Sequence, residues 1–475
     1  MWERFKLFNR VLDCRFEDLK TPDWPKVVYR DFSAGLIVAM TAIPMAMGFA
    51  MAMGLRPEQG IIAGAIACIV GRTWGGSKYQ VYGPTAAFIP VVAALMTKYG
   101  EANGGSFESA HAFLVLCSIC AGVVLMIMGL AGLGKYAKIV PNSIVVGFTV
   151  GIAVTIAVAN LGEALGYEQD VDGNLLNKIS IIVSNLHEFN VYAFFLAALT
   201  FFMTRYLLKI SVFIPGPLLA LGTATLLSAT VLAGSGIALV KDKFGAIPTD
   251  FFRFTPPALP GTSPSVWLDL VYFVVAIVFV SGVESLLCSS MADRLANNKK
   301  TPFNPDKEFW GQGLVQIITP LINGFPCTGA LARTATSIKA GAVTPLAGYF
   351  KGGLKLAMAY YIAQYLEIVP MACIGGILLW VASNMIKPGE IVEVWRHSRF
   401  HAALMLYTAI MVPMTDFLTG VLSALILYGV LYRFFDSPSK TDRQDKSDSD
   451  QHERRHERRP EYAEEKKLPA AATAI

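Results

Sequence analysis

The sequence predicts an all-α polytopic membrane protein with fourteen transmembrane segments. Three observations carry that expectation. Of 475 residues, 54% are hydrophobic and only 16% charged, against roughly 25% charged in a soluble domain, and the mean hydropathy is +0.49. Residues 32–55, 109–134, 139–162 and 210–240 contain no Lys, Arg, Asp or Glu, which is too long and too frequent for buried helices of soluble domains. Alternating ten-residue strands are not visible along the chain, so a helical bundle, and not a barrel, is the way this chain would satisfy its backbone in lipid.

Residues 1–30 carry seven Lys or Arg with no apolar core and no small-residue cleavage site, and read as a cytoplasmic arm. Hydropathy with Gly and Pro punctuation then places spans at 31–54, 58–72, 84–98, 109–131, 140–163, 190–209 and 213–237, and again at 264–291, 308–323, 328–340, 345–365, 369–386, 400–414 and 416–434. An even number puts both termini on one side. Loop charges test the count independently, since Lys and Arg collect in cytoplasmic loops. Arg72 and Lys78, Lys135 and Lys138, Arg205 and Lys209, Arg294 with Lys299 and Lys300, and Arg396 with Arg399 all fall on the side of the basic arm. The opposite connections are acidic or balanced: Glu168, Asp170, Asp172 and Glu188 in 164–189, and Asp242 and Asp250 against Lys241, Lys243 and Arg253 in 238–263. Cytoplasmic termini in a plasma (inner) membrane are therefore expected. Residues 436–475 turn abruptly charged and polar and read as a disordered, solvated tail, with HERRHERR as a segment that can engage anionic lipid or a partner. The seven cysteines lie mostly inside apolar segments, and the close pair Cys117 and Cys120 has no polar neighbours, so core packing is expected and no disulfide or metal site.

Two short, interrupted segments are the most informative feature: YGPTAAFIPVVAALM at 82–96 and CTGALARTATSIKAGAV at 327–343. They are third and tenth in order, matching places in two halves of seven spans, the pattern of a 7+7 inverted repeat with its binding site at the repeat interface. Gly83-Pro84 and Thr328-Gly329 would open half-helices that meet near the midplane. The free N–H groups and partial positive charge of two such ends make an anion site without side-chain charge. Arg333 stands in the second of them, where an unpaired cation costs about 3 kcal/mol or more, so it either attracts an anion or pairs with a carboxylate to lock helices. Glu284 is the acid best placed to pair with it, since no charged residue separates Glu284 from Asp269. Glu284 is also open to carrying a proton, coordinating a cation, or a structural role; Asp269 and Asp416 lie near span ends and read as interfacial. In the first span Pro44 frees backbone groups and lets Met45 and Phe49, on one face, form an apolar wall.

With these residues in view, the chain resembles the sulfate permease (SulP) family of inorganic anion transporters. The resemblance rests on IPMAMGFAMAMGL, YGPTAAFIPVV and GVESLLCSSMADR, and above all on the stretch 306–348, and covers roughly residues 25–435. It implies a core domain (about 31–131 and 264–365) and a gate domain (about 140–237 and 369–434) working as an elevator, commonly in a homodimer. It also implies an anion held between the N-termini of spans 3 and 10 with side chains of span 1. By motif position this points to Met45, Phe49, Thr85, Ala330, Leu331, Ala332 and Arg333. Many relatives have Gln at the position of Met45 and Ser at those of Ala330 and Ala332, so this site would depend more on backbone N–H groups. At the position of Glu284, cyanobacterial bicarbonate members carry an Asp with a nearby Thr that binds sodium. Here the neighbour is Cys288, a poor ligand for a hard cation, which favours proton coupling or exchange over sodium symport. The family usually ends in a cytoplasmic STAS domain, and this tail is too short to be one.

The expected function is secondary active transport of a small inorganic oxyanion, sulfate or bicarbonate, by an elevator mechanism coupled to protons or sodium through Glu284. No cofactor is expected beyond the co-transported ion, and no nucleic-acid partner. An uncoupled exchanger or channel using the same site is the alternative. A nucleobase permease, which would hold a neutral ring with acidic residues, is disfavoured by Arg333. An enzyme is not expected: no nucleophile–base pair, metal cluster or phosphate loop stands out, and GRTWGGSK lacks a Walker spacing.

Overall fold

Most helices in this chain begin where a proline or a short polar side chain meets the free N–H groups of a first turn. Pro25, Pro57, Pro90, Pro217, Pro264 and Pro305 each stand in such a turn. The side chains of Ser106, Asn190, Asn304 and Ser398 accept from N–H groups of the turns they open.

The computed structural model describes residues 2–100, 104–134, 141–167, 175–248 and 252–435. The stretch 436–475, and the loop charges Lys135, Lys138, Glu168, Asp170, Asp172 and Asp250, lie outside the described residues. In chain order come α1 (Trp2–Phe8), a 3-10 turn at Cys14–Lys20, α2 (Trp24–Ala52), α3 (Pro57–Trp74), β1 (Tyr82–Gly83), α4 (Ile89–Tyr99), α5 (Phe107–Ala131) and α6 (Asn142–Leu165). Then follow α7 (Leu175–Ser184), α8 (Val191–Ile210), α9 (Gly216–Thr230), α10 (Val240–Phe244), α11 (Pro264–Leu295) and α12 (Pro305–Leu321). The chain continues through β2 (Thr328–Gly329), α13 (Leu331–Lys339), α14 (Leu346–Glu367), α15 (Met371–Met385), α16 (Pro388–His397), α17 (Arg399–Met414) and α18 (Phe417–Phe435). The protein is a mostly helical integral membrane protein. Each of the fourteen intervals read as a span holds one helix, α2–α6, α8, α9, α11–α15, α17 and α18, while α1, α7, α10 and α16 form in segments read as arm or loop. Among the described residues, six helical stretches are long and apolar enough to cross a membrane: Trp24–Ala52, Phe107–Ala131, Asn142–Leu165, Val191–Ile210, Pro264–Leu295 and Met371–His397.

Where lipid removes the hydrophobic drive between helices, small residues let backbones approach. A Cβ on Gly122 would stand 2.6 Å from the Gly313 carbonyl and one on Gly313 2.5 Å from the Gly122 carbonyl, so α5 and α12 touch backbone to backbone. Gly147 of α6 meets the Met405 carbonyl of α17 in the same way, at 2.5 Å. Two sets of helices result. In one, α12 packs on α3 and α5, α14 on α2 and α3, α11 on α5, and α13 on α2 and α11; in the other, α6 packs on α8, α15 and α17, and α9 on α8 and α15. α2 also meets α9 and α15. One compact unit spans Met1–Leu425; the second, from Ile426 on, is described only as the last turns of α18.

The basic arm folds onto the first set. Arg15, 3% exposed, donates to the Arg72 and Thr73 carbonyls at 3.2 and 3.1 Å and to that of Gly75, covering carbonyls left free where α3 ends. Its Nε meets Asp13 at 2.8 Å, Lys307 meets the same carboxylate at 2.6 Å, and Lys78 pairs with Asp18. Burial pulls the Asp13 carboxyl up, and Arg15 and Lys307 together outweigh it and hold the group below its ordinary range. Arg72 and Lys78, placed by loop charge on the side of the arm, do lie against it.

Candidate functional site

The two interrupted segments meet. β1 and β2 pair antiparallel, with Cα partners Tyr82 and Gly329, and Gly83 and Thr328, and the Ala330 N–H donates to the Val81 carbonyl at 2.8 Å. From this ladder each chain turns into a helix. Thr85 precedes a 3-10 turn, Ala86–Phe88, that runs into α4, and Ala330 precedes α13.

Strand backbone inside an apolar bundle must find partners, and α12 supplies them. Glu308, Gln312 and Gln316, spaced four apart on one helix face, are all fully buried. The Glu308 carboxylate accepts from the N–H groups of Gly76 and Ser77 at 2.8 and 3.2 Å, and from Gln80 Nε2 and the Tyr82 hydroxyl at 2.8 Å. Gln316 accepts from the Cys327 N–H at 3.3 Å and donates to the Cys327 carbonyl at 2.9 Å. Thr334 Oγ1 accepts from the Val81 N–H at 2.9 Å and lies 3.2 Å from Cys288 Sγ. Past α13, Asp31 accepts from the Val343 and Thr344 N–H groups at 2.7 and 3.1 Å. None of Glu308, Gln312, Gln316 or Asp31 was singled out in the sequence. Their signal was polar side chains at helical spacing in an apolar context.

The expected site residues distribute around the ladder. Met45 and Phe49 are buried in α2, which packs on both α4 and α13. Thr85 and Ala330 are buried at the helix entrances, Leu331 is half-buried and Ala332 exposed. Thr85 Oγ1 donates to Glu284 Oε2 at 2.8 Å. Arg333 is 4% exposed, and its Nη1 has no hydrogen-bond partner. The expected ion pair between Arg333 and Glu284 does not form, although the two lie within electrostatic range. Glu284 is engaged by Thr85, while the guanidinium sits against Gly83, where a Cβ would stand 2.9 Å from Nη1. Cys288, the expected neighbour of Glu284, lies 3.2 Å from Thr334 Oγ1.

Two functional candidates were missed. Lys351 and Lys355 of α14 are 1% and 0% exposed. Lys351 Nζ donates to the Gly64 and Tyr82 carbonyls at 3.2 and 2.8 Å, and Lys355 Nζ to the Gly60 carbonyl at 3.3 Å. KGGLK in the middle of a span was the signal: two ionisable residues four apart share one helix face. A separate cavity of about 410 Å³, lined by residues including Met51, Ala93, Asn160, Glu163, Lys243 and Leu378, reaches both helix sets but not the ladder residues, Arg333 or Glu284. Chemically, the ladder offers helix ends and an uncommitted guanidinium donor to an anion, without any nucleophile–base arrangement.

Comparison with known proteins adds an independent line. Residues 28–408 match the sulfate permease family. The chain is 35% identical over 404 residues to YvdB of Bacillus subtilis, covering 85% of this chain and 73% of that one, whose name alone assigns it to sulfate transport. Its fold is similar to the transmembrane domain of a cyanobacterial bicarbonate transporter, BicA, at 22% identity and a TM-score of 0.68 over 83% of this chain and 97% of that one. It is also similar to the murine Slc26a9 anion transporter, at 16% identity and a TM-score of 0.74 over 86% and 68% of the two chains.

Proposed function

The chain belongs to the sulfate permease family, a family of transporters and not of enzymes, and from that premise we propose that it is a secondary active transporter of a small inorganic oxyanion, sulfate or bicarbonate. The carrying observation is the unpartnered, buried Nη1 of Arg333 beside the β1–β2 ladder, where α4 and α13 begin. Two helix N-termini and one uncommitted guanidinium form a site that an anion completes. In this reading the fourteen helices are seven plus seven spans in an inverted repeat, with α4 and α13 as half-helices that meet at the midplane. The set containing α2, α3, α5, α12 and α14 is the moving core, and the set around α6, α8, α15 and α17 is the gate, in a homodimer. Met45, Phe49, Thr85, Ala330, Leu331 and Ala332 surround the anion. Glu284, held by Thr85, is the coupling acid, with a proton favoured over sodium because Cys288 offers a hard cation little. Both termini face the cytoplasm.

The test is reconstitution in liposomes with labelled sulfate or labelled bicarbonate under a pH gradient, a sodium gradient or neither. Accumulation above equilibrium with one gradient identifies cargo and coupling ion together. Equilibration alone would return the protein to an uncoupled exchanger, and concentrative uptake that survives Glu284→Gln with its pH dependence intact would show that coupling does not run through Glu284.

A further inference from the structure

Resting on that reading of the site, we propose that Lys351 and Lys355 set the charge class of the cargo, acting as fixed counter-charges that favour a doubly charged oxyanion over a singly charged one. Both ammonium groups reach toward the ladder from behind. A Cβ on Gly83 would lie 2.9 Å from Arg333 Nη1 and 3.6 Å from Lys351 Nζ, and one on Gly64 would meet Lys355 Nζ and stand 3.2 Å from Pro84 Cδ. The three cations thus crowd the turn from which α4 departs. Each lysine lies within electrostatic range of Arg333, and Lys355 also of Lys351. Both lysines bond to backbone carbonyls alone. Glu308 is filled by its own donors, and Glu284, which lies in range of Arg333, accepts from Thr85.

The physical consequence follows from how two energies scale. The cost of taking an ion out of water grows with the square of its charge, while its attraction to a fixed charge grows in proportion to it. Helix ends supply only about half a charge each, so a ladder of N–H groups by itself favours a monoanion, which is cheaper to dehydrate. Protonated lysines behind the ladder tilt the balance toward a dianion, and a dianion at the ladder in turn favours their protonated form. A dianion also supplies negative charge that the carbonyl partners of the two lysines do not.

The experiment uses the full-length protein in liposomes. Labelled sulfate uptake is competed with unlabelled selenate or thiosulfate and, separately, with bicarbonate or nitrate. Wild-type protein is expected to favour the dianions at least tenfold. Lys351→Met and Lys355→Met are each expected to shift the dianion-to-monoanion ratio about tenfold toward monoanions while keeping uptake of the latter, and Lys351→Arg to keep the wild-type ratio. Gly64→Ala, whose Cβ would push the Lys355 ammonium aside, is expected to shift the ratio in the same direction without removing a charge, and it tests the idea if the Met variants do not fold. An unchanged ratio in folded variants, equal loss of both anion classes, or a wild-type preference for monoanions overturns the proposal and leaves anion transport standing. Wild-type protein that moves none of these anions overturns the transport reading itself.

Discussion

Two buried groups of basic residues among the described residues differ in their partners: one is furnished with acids and the other is bonded to carbonyls. At the arm, Arg15 and Lys307 share Asp13, and Lys78 has Asp18. Behind the β1–β2 ladder, Lys351 and Lys355 have only carbonyls, and Arg333 Nη1 has nothing. The first arrangement is what a chain does when a charge must hold structure together. The second costs stability and persists only where something else supplies the balance. Buried charge by itself therefore does not mark a functional site; the sign of its surroundings does.

The sharpest way to break this comparison is to truncate one arginine from each cluster. Arg15→Ala strands three carbonyls at the end of α3 and leaves Asp13 half-paired, and is expected to cost about 3 kcal/mol of stability, read as thermal melting in detergent, with anion affinity unchanged in the protein that remains folded. Arg333→Ala is expected to do the reverse: anion affinity falls tenfold or more, about 1.4 kcal/mol, while melting stays level or rises because an unbalanced buried charge is gone. Matching losses of stability in both would erase the distinction. Asp13→Asn sharpens it further, with an expected loss of about 1 kcal/mol at neutral pH. Since folding lowers the Asp13 pKa, its contribution is present above the ordinary carboxylate value of 3.8 and is lost as the pH falls through the folded-state value below that. The melting gap between wild type and Asp13→Asn should accordingly close on acidification, and a gap that widens instead would mean the pair is not ionic. Smallest of all, Lys26→Ala removes a fully solvated pair with Asp23, 81% and 71% exposed, and no change in melting is expected.

Much of this was legible along the chain, for reasons that differ by region. Helix positions were readable because a stretch of uncharged residues such as 109–134 has few places to go except a span. The pairing of the two interrupted segments was readable in outline, because Gly83-Pro84 and Thr328-Gly329 cannot continue a helix and recur at matching places. Arg333 stood out as a cation in the second of those segments. The short helices α7, α10 and α16 were missed because tertiary and interfacial packing, more than hydropathy, orders them. Lys351 and Lys355 were passed over inside a span bounded by its apolar flanks, and Glu308 looked like one more charge in the polar opening PDKE of α12.

What the sequence alone determined is therefore periodic and local: where helices run, where two of them must break, and that a cation lies beside one break. Such features depend on each residue's own hydration and on neighbours three or four positions away. Only the tertiary structure decided which buried charges are balanced. Asp13 reaches Lys307 across most of the chain, Thr85 takes Glu284 from the arginine expected to hold it, and α14 delivers two lysines behind Gly83 and Gly64. Charge balance at a point in space is a sum over elements distant in sequence, and nothing in local spacing contains that sum.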